Sequence, residues 1–91
     1  MFKDIQAIIT AHRVNGGVFF EPRNMKKWHG KVYNDIYGGE LFITSERRTG
    51  EARNYTVRKL SDDRHYVTNV SDFEQFNTLR QARAYAREQV E

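Results

Sequence analysis

The sequence predicts an α+β domain: a three-stranded antiparallel meander packed by a C-terminal helix and preceded by one or two helices. Residues 53–60 and 64–70 alternate apolar and polar side chains with the period of half-buried strands. They follow an apolar segment, residues 41–46, and polar turns of a few residues separate the three segments. Short links between consecutive strands are typical of an antiparallel meander.

The C-terminal helix is predicted to begin at a capping box. The Thr78 hydroxyl and the Gln81 side chain can satisfy backbone N–H groups that the first helical turn leaves free. Apolar residues then recur three and four positions apart, which predicts a helix to about residue 89 with a narrow apolar stripe. Together with alternate strand positions, the stripe predicts one core formed by Leu41, Ile43, Tyr55, Val57, Tyr66, Val70, Leu79, Ala82 and Ala86.

The first 39 residues are predicted to be mainly helical. Residues 2–12 place apolar side chains at helical spacing, and the following Asn-Gly-Gly is a helix stop. Residues 18–20 are too short for more than an extended segment or a short edge strand.

A second helix is predicted over residues 23–29. Pro22 suits its first position, because the N–H that proline lacks has no partner there, and Trp28 is expected in the core. Residues 31–37 are ambiguous, since their apolar and aromatic side chains lie four apart and would share helix faces. Two glycines end this segment. We therefore assign residues 1–39 to a helical half and residues 40–91 to a β-β-β-α half.

Length and composition indicate a single domain spanning residues 1–91. A chain of 91 residues is too short for two cores. It has no cysteine, which excludes disulfides and favours a cytoplasmic setting. Its apolar runs are far shorter than the roughly 18 residues of a membrane span, and its first residues lack the features of a signal peptide. We expect a cytoplasmic protein with no membrane partner.

No catalytic pattern is present in the sequence. There is no cysteine nucleophile, no Gly-x-Ser-x-Gly elbow and no phosphate-binding glycine-rich loop before a helix. The three histidines lie on different predicted elements and never at metal-ligand spacing. We expect a protein that acts by binding, without catalysis, cofactor, metal or small-molecule substrate.

Basic residues concentrate around the first β-turn of the meander. Residues 47–64 contain six basic side chains against three acidic ones, whereas the whole chain carries a net charge of only +3. Arginines on a twisted hairpin can follow phosphates, and a two-stranded ribbon fits the major groove; the same charges on a sheet edge also block aggregation. The predicted binding residues are Arg47, Arg48, Arg53, Arg58, Lys59 and Arg64 of the meander, with Arg80, Arg83 and Arg87 on one face of the last helix.

The C-terminal half resembles a known DNA-binding domain. From Phe42 to Ala86 the β-β-β-α order, with Tyr55-Thr56-Val57-Arg58 and then Phe76-Asn77-Thr78 opening an Arg- and Ala-rich helix, is similar to the arm-type domain of phage integrases. In such domains the sheet lies in the major groove. The resemblance therefore implies DNA binding through the sheet and its hairpin.

A second resemblance spans most of the chain. Six segments are similar to those of a family of small phage-encoded accessory proteins: Phe19-Phe20, Asn24-Met25, Lys31-Val32-Tyr33, Tyr37-Gly38-Gly39, Phe42-Ile43-Thr44-Ser45-Glu46 and Arg53-Asn54-Tyr55-Thr56-Val57-Arg58. That family implies a phage or prophage origin without an assigned activity. Because such proteins often block host defence, two partners stay open: nucleic acid, or a host nucleoprotein or defence complex that the protein inhibits in the manner of an anti-CRISPR.

Overall fold

The structure is a computed structural model that describes all 91 residues. Its elements in chain order are α1 (Ile5–Val14), α2 (Pro22–Lys27), β1 (Lys31–Tyr37), β2 (Leu41–Glu46), β3 (Asn54–Leu60), β4 (Val67–Asn69) and α3 (Leu79–Val90). The strands form one antiparallel sheet in the order β1-β2-β3-β4. The α+β class and the meander with a C-terminal helix are confirmed, but the sheet has four strands instead of three.

The additional strand is the segment whose conformation the sequence left ambiguous, so the N-terminal half is not wholly helical. β1 pairs with β2 from Lys31 opposite Ser45 to Tyr37 opposite Leu41, with an irregularity between Val32 and Ile36. Val32 and Ile36 both pack on the face that also buries Phe42. Residues four apart share a face in a strand as well as in a helix, which is why the apolar spacing of this segment fits both.

One face of the sheet is packed by α1 and the turn that follows it. Phe42 is fully buried on this face, in a cluster with Ile8 and Phe20. The Phe20 and Phe42 ring centroids lie 5.7 Å apart. Residues 18–20 therefore form a core-packing turn and not an edge strand.

The opposite face is packed by α3, as the shared apolar spacing predicted. Its cluster consists of Leu41, Ile43, Val57, Ala82 and Ala86, against which Tyr55, Val70 and Leu79 pack. Eight of the nine predicted core residues therefore belong to this cluster. Tyr66 does not, since its side chain is 62% exposed in the turn before β4.

That turn also explains why β4 is shorter than predicted. The Asp63 carboxylate accepts hydrogen bonds from the Ser61 hydroxyl at 2.6 Å and from the His65 backbone N–H at 2.9 Å. Arg64 adopts a left-handed conformation with φ 63°. A left-handed residue interrupts the pleat, so pairing begins only at Val67.

The predicted helix start at Thr78 is confirmed, although Gln81 bonds the residue before the cap and not Thr78 itself as in a standard capping box. The Thr78 hydroxyl accepts from the Gln81 backbone N–H at 3.2 Å, and the Gln81 side chain accepts from the Asn77 N–H at 3.2 Å. α1 is capped in a related way, because the Asp4 carboxylate accepts from the Ala7 N–H at 2.9 Å. None of these helices is both long and apolar enough to cross a membrane.

Because both faces of the sheet are covered, truncating either of two neighbouring β2 residues should destabilise the protein by a similar amount. Phe42→Ala should lower the free energy of unfolding by about 3–5 kcal/mol and Ile43→Ala by about 2–5 kcal/mol, because each leaves a cavity in a different cluster. Urea unfolding followed by circular dichroism measures both values. Val14→Ala, an exposed site on α1, is the control and should change stability by less than about 0.5 kcal/mol. Near-wild-type stability of either β2 variant would contradict the two-sided packing.

Candidate nucleic-acid interface

The nine predicted binding residues do not form one surface. Consecutive turns of a meander lie at opposite ends of the sheet, so the β2–β3 turn is remote from the β3–β4 turn. The first turn carries Arg47, Arg48 and Arg53, whereas Lys59 and Arg64 lie near the second. Arg58 lies inside the protein and the remaining three lie on α3.

Arg58 is buried in the middle of the sheet, and only 8% of its side chain is exposed. Its Nε donates to the Thr44 hydroxyl at 2.7 Å and its Nη1 to the Asn69 side-chain oxygen at 2.7 Å. Its Nη2 faces the Glu46 carboxylate at 3.5 Å. All three of these guanidinium nitrogens therefore face partners inside the protein. The expectation that Arg58 contacts a phosphate is wrong.

Aromatic rings surround the Arg58 guanidinium. Its central carbon lies over the Phe19 ring at 5.1 Å and over the Phe73 ring at 5.7 Å from the centroids. The Phe19 ring in turn packs on Trp28 at 5.5 Å. Burial lowers the pKa of Arg58 from its usual value, and the Glu46 charge acts in the opposite direction. Cation–π contacts of this kind add to the hydrogen bonds that retain the buried charge.

Arg53 braces the β2–β3 hairpin against the turn after α2. Its Nη1 donates to the His29 carbonyl at 2.7 Å and to the Ser45 hydroxyl at 2.9 Å. The Arg47 backbone N–H donates to the Trp28 carbonyl at 3.2 Å. These bonds hold residues 28–30 beside the hairpin, so Arg53 positions the site more than it faces a ligand.

Lys59 and Arg64 occupy the opposite end of the sheet and are held by local partners. The Lys59 amine lies 4.0 Å from the Glu40 carboxylate. The Arg64 guanidinium lies over the Phe2 ring at 5.1 Å from its centroid, and its carbonyl accepts from the buried His12 ring at 2.9 Å. These two residues cannot join the hairpin arginines on one ligand of small size.

The α3 arginines lie outside the apolar stripe with which α3 packs on the sheet. Arg83 pairs with Asp35 of β1 at 3.4 Å, whereas Arg80 and Arg87 are exposed. The three lie on the surface of α3, whose packed side faces the sheet through Ala82 and Ala86. They form a separate basic row.

The hairpin end of the sheet contains a cleft of about 400 Å³, called here the hairpin cleft. Its walls come from the end of α2 and the turn after it, the β2–β3 hairpin, and the loop between β4 and α3. It is lined by Lys27, Trp28, His29, Glu46, Arg47, Arg48, Thr49, Phe73 and Glu74.

The lining combines three cations with two carboxylates and two aromatic rings. Lys27, Arg47 and Arg48 supply the cations, and neither Lys27 nor Arg47 is paired with a carboxylate. Only 13% of the Glu46 side chain is exposed. Burial and the neighbouring Glu74 charge raise the pKa of Glu46, although Arg58 opposes the shift. The cleft therefore combines exposed cations with a largely buried Glu46 carboxyl.

Sequence reasoning found the cleft's arginines but missed its other half. Phe73 and Glu74 line the hairpin cleft because residues 71–75 form a turn that is hydrogen-bonded to β3. The Ser71 hydroxyl accepts from the Val57 N–H at 3.0 Å, and the Thr56 hydroxyl accepts from the Glu74 N–H at 2.8 Å. The available signal was a phenylalanine within a polar turn segment, residues 71–75.

The covered sheet limits how nucleic acid can be bound. Residues Leu41–Ser45 of β2 are buried throughout, with α1 on one face and α3 on the other. A sheet laid flat in the major groove needs one open face. The sheet faces are therefore closed to the groove, whereas the hairpin end presents accessible basic side chains.

Fold and site together define a small α+β protein with a sheet covered on both faces and a basic, aromatic-lined cleft at one end. The chain matches the model of a family of unknown function, DUF7447, over residues 4–87, and it belongs to that family. Comparison with curated proteins and with solved structures found no significant match.

The raised pKa of Glu46 predicts a specific pH dependence of stability. The folded-state pKa of Glu46 lies above its ordinary value of 4.5, which the unfolded chain retains. Between these two values the native state binds more protons, so this carboxyl makes stability fall as pH rises through the window. Subtracting the unfolding free energy of Glu46→Gln from that of the wild type isolates the effect. The difference should decline from pH 4.5 upward and then become flat.

Chemical denaturation at a series of pH values measures this difference. Glu51→Gln, at an exposed position of the same hairpin, is the matched control and should give a flat difference. A wild-type minus Glu46→Gln difference that rises with pH would show that Arg58 dominates the site and lowers the pKa of Glu46.

Proposed function

We propose that this protein is a small non-enzymatic, phage-type accessory protein that binds nucleic acid at the hairpin end of its sheet. The observation that carries the proposal is the convergence of Lys27, Arg47 and Arg48 on a cleft that also contains Trp28 and Phe73. Cations that engage phosphates, interleaved with aromatic rings that engage bases, are typical of nucleic-acid-binding surfaces.

The hairpin arginines are available for phosphates. Arg48 is 81% exposed, and its one ion pair, with Glu51, is 3.9 Å long. An exposed pair of this kind contributes about 0–1 kcal/mol, so a phosphate can replace Glu51 at little cost. Arginine is well suited to that exchange because its guanidinium binds phosphate oxygens in a bidentate manner.

The resemblance to phage accessory proteins supports the phage-type part of the proposal, because that family implies an origin and no activity. A small protein of this kind would act in the cytoplasm of the host cell, where both nucleic acid and its complexes are present. The net charge of +3 is modest, so the proposed binding depends on where the cations are placed and not on their total number.

Neutralising the hairpin arginines should weaken binding to every sequence alike. Arg47→Ala and Arg48→Ala should each reduce the slope of log K against log salt by about 1, because each removes one phosphate contact and its released counterion. Fluorescence anisotropy with labelled oligonucleotides at several salt concentrations measures this slope. Arg87→Ala removes the same charge from the exposed row on α3 and should leave the slope unchanged.

Two outcomes would overturn the proposal. One is the absence of binding to single or double strands at low salt. The other is an equal loss for Arg87→Ala and Arg48→Ala, which would indicate a diffuse charge effect without a site.

A second candidate function is inhibition of a host defence complex through a protein interface. The observation in its favour is a groove of about 340 Å³ on another part of the surface, lined by exposed Val18 and Tyr66 together with His65. Tyrosines that pack into a partner often dominate the binding energy of an interface. An inhibitor of this anti-CRISPR type would bind a host protein without nucleic acid.

Tyr66→Ala separates the second candidate from the first. If a protein interface carries the function, this variant should lose a host partner that the tagged wild type captures after nuclease treatment. The loss should exceed about 2 kcal/mol, or roughly 30-fold in affinity, as for other interface hot spots. Arg48→Ala should retain the partner. Capture that disappears with nuclease treatment would instead favour direct binding to nucleic acid.

A further inference from the structure

The side chains that line the hairpin cleft suit some forms of nucleic acid better than others. We infer that the cleft takes an unpaired base bearing an exocyclic amino group, stacked on the Phe73 ring and bonded at that amino group by the Glu74 carboxylate. This inference rests on the proposed function, and it narrows the ligand to a single-stranded nucleic acid.

Phe73 has the features of a stacking platform. The side chain is 53% exposed although it is a large apolar group, and it lines the cleft. The Arg58 guanidinium lies over the ring at 5.7 Å and supports it from the protein side. Stacking of a base on such a ring would cover apolar area that water now contacts.

The backbone under Phe73 is anchored on both sides. The Ser71 hydroxyl is bonded to the Val57 N–H, and the Glu74 N–H to the Thr56 hydroxyl. Glu74 itself has a left-handed φ of 55°, a conformation that non-glycine residues rarely adopt. The ring is therefore presented outward by a fixed loop, and little ordering is needed when a ligand binds.

A double helix cannot use this platform. Its bases are stacked on one another and expose only their edges in the grooves. Unpaired bases can be splayed out onto aromatic side chains. The cleft volume of about 400 Å³ lies in the range of sites for small ligands, roughly 300–1,000 Å³. A base in the cleft would have its flanking phosphates near Lys27, Arg47 and Arg48.

The carboxyl groups account for the requirement for an amino group. Carboxylates would repel a purely phosphate-binding strand, yet Glu46 and Glu74 both line this cleft. A carboxylate accepts a hydrogen bond from the exocyclic amine of cytosine. In thymine the corresponding position is the O4 acceptor, which repels the carboxylate, so that N3–H is the one donor that this edge of thymine offers. Glu46 is engaged by Arg58 and by a side-chain hydrogen bond with Glu74, so the second carboxyl oxygen of Glu74 is the acceptor left for the amine.

The single tryptophan of the chain lines the cleft and gives a direct signal from the wild-type protein. Titration with oligo-dC should change Trp28 fluorescence, and an abasic oligonucleotide of equal length should not. Anisotropy should give about 5- to 150-fold tighter binding of oligo-dC than of oligo-dT, corresponding to one good base contact. Oligo-dC should also bind more tightly than the duplex formed by dC and dG strands.

Three variants separate stacking from packing. Phe73→Leu keeps an apolar side chain but lacks a ring, and should weaken oligo-dC binding about 5- to 150-fold. Phe73→Tyr restores the ring and should restore the affinity. Glu74→Ala should remove the advantage of oligo-dC over oligo-dT without weakening oligo-dT binding. Thermal unfolding confirms that each variant is folded.

The outcomes distinguish this inference from the proposed function. If abasic and dC strands bind equally, with a salt slope that depends on Arg47 and Arg48, phosphate binding stands and base stacking is wrong. Tighter binding of the duplex than of oligo-dC would likewise show that base stacking is wrong. Equal affinity for dC and dT overturns the role of Glu74. If no nucleic acid binds, both the inference and the proposed function fail.

Discussion

The buried guanidinium of Arg58 is the interaction on which the rest of the structure depends. A charge in a protein interior costs several kcal/mol unless its donors are satisfied, and losing one partner of such a set typically costs about 3–5 kcal/mol. Its partners Thr44, Glu46 and Asn69 lie on β2 and β4, on either side of β3. A register slip of one residue would turn these partners to the other face. Arg58 therefore selects one alignment of three strands.

The same residue connects the fold to the surface. The aromatic contacts of Arg58 reach Phe19, from the turn that covers one face of the sheet, and Phe73, from the loop before α3. Its carboxylate partner Glu46 lines the hairpin cleft beside Phe73. The carboxyl and aromatic parts of the cleft are thus fixed by a core interaction. Their positions do not depend on the flexible side chains at the hairpin tip.

Sequence patterns predicted those parts of the fold that depend on residues close together in the chain. Alternation placed Tyr55 and Val57 on one face of β3, and the Thr78 capping box marked the start of α3. The same patterns failed where segments distant in the chain determine whether a side chain is buried. Alternation put Arg58 on a polar face that was taken to be solvated, whereas α1 and the turn after it cover that face. One clue was available: the apolar stripe of α1 needed a surface to pack on, and a sheet covered by α3 alone left its other face for that purpose.

For ligand binding by this protein, the positions of the basic side chains matter more than their number. The nine basic residues predicted to bind are divided among the hairpin end, the opposite end of the sheet and α3, while Arg58 lies in the core. At the cleft, two carboxyl groups offset much of the charge of three cations. Such a surface attracts a polyanion only weakly over distance, because opposite charges cancel beyond about one Debye length. Discrimination at the cleft then depends on short-range contacts, and Phe73, which Arg58 supports, is the most exposed aromatic ring available to make them.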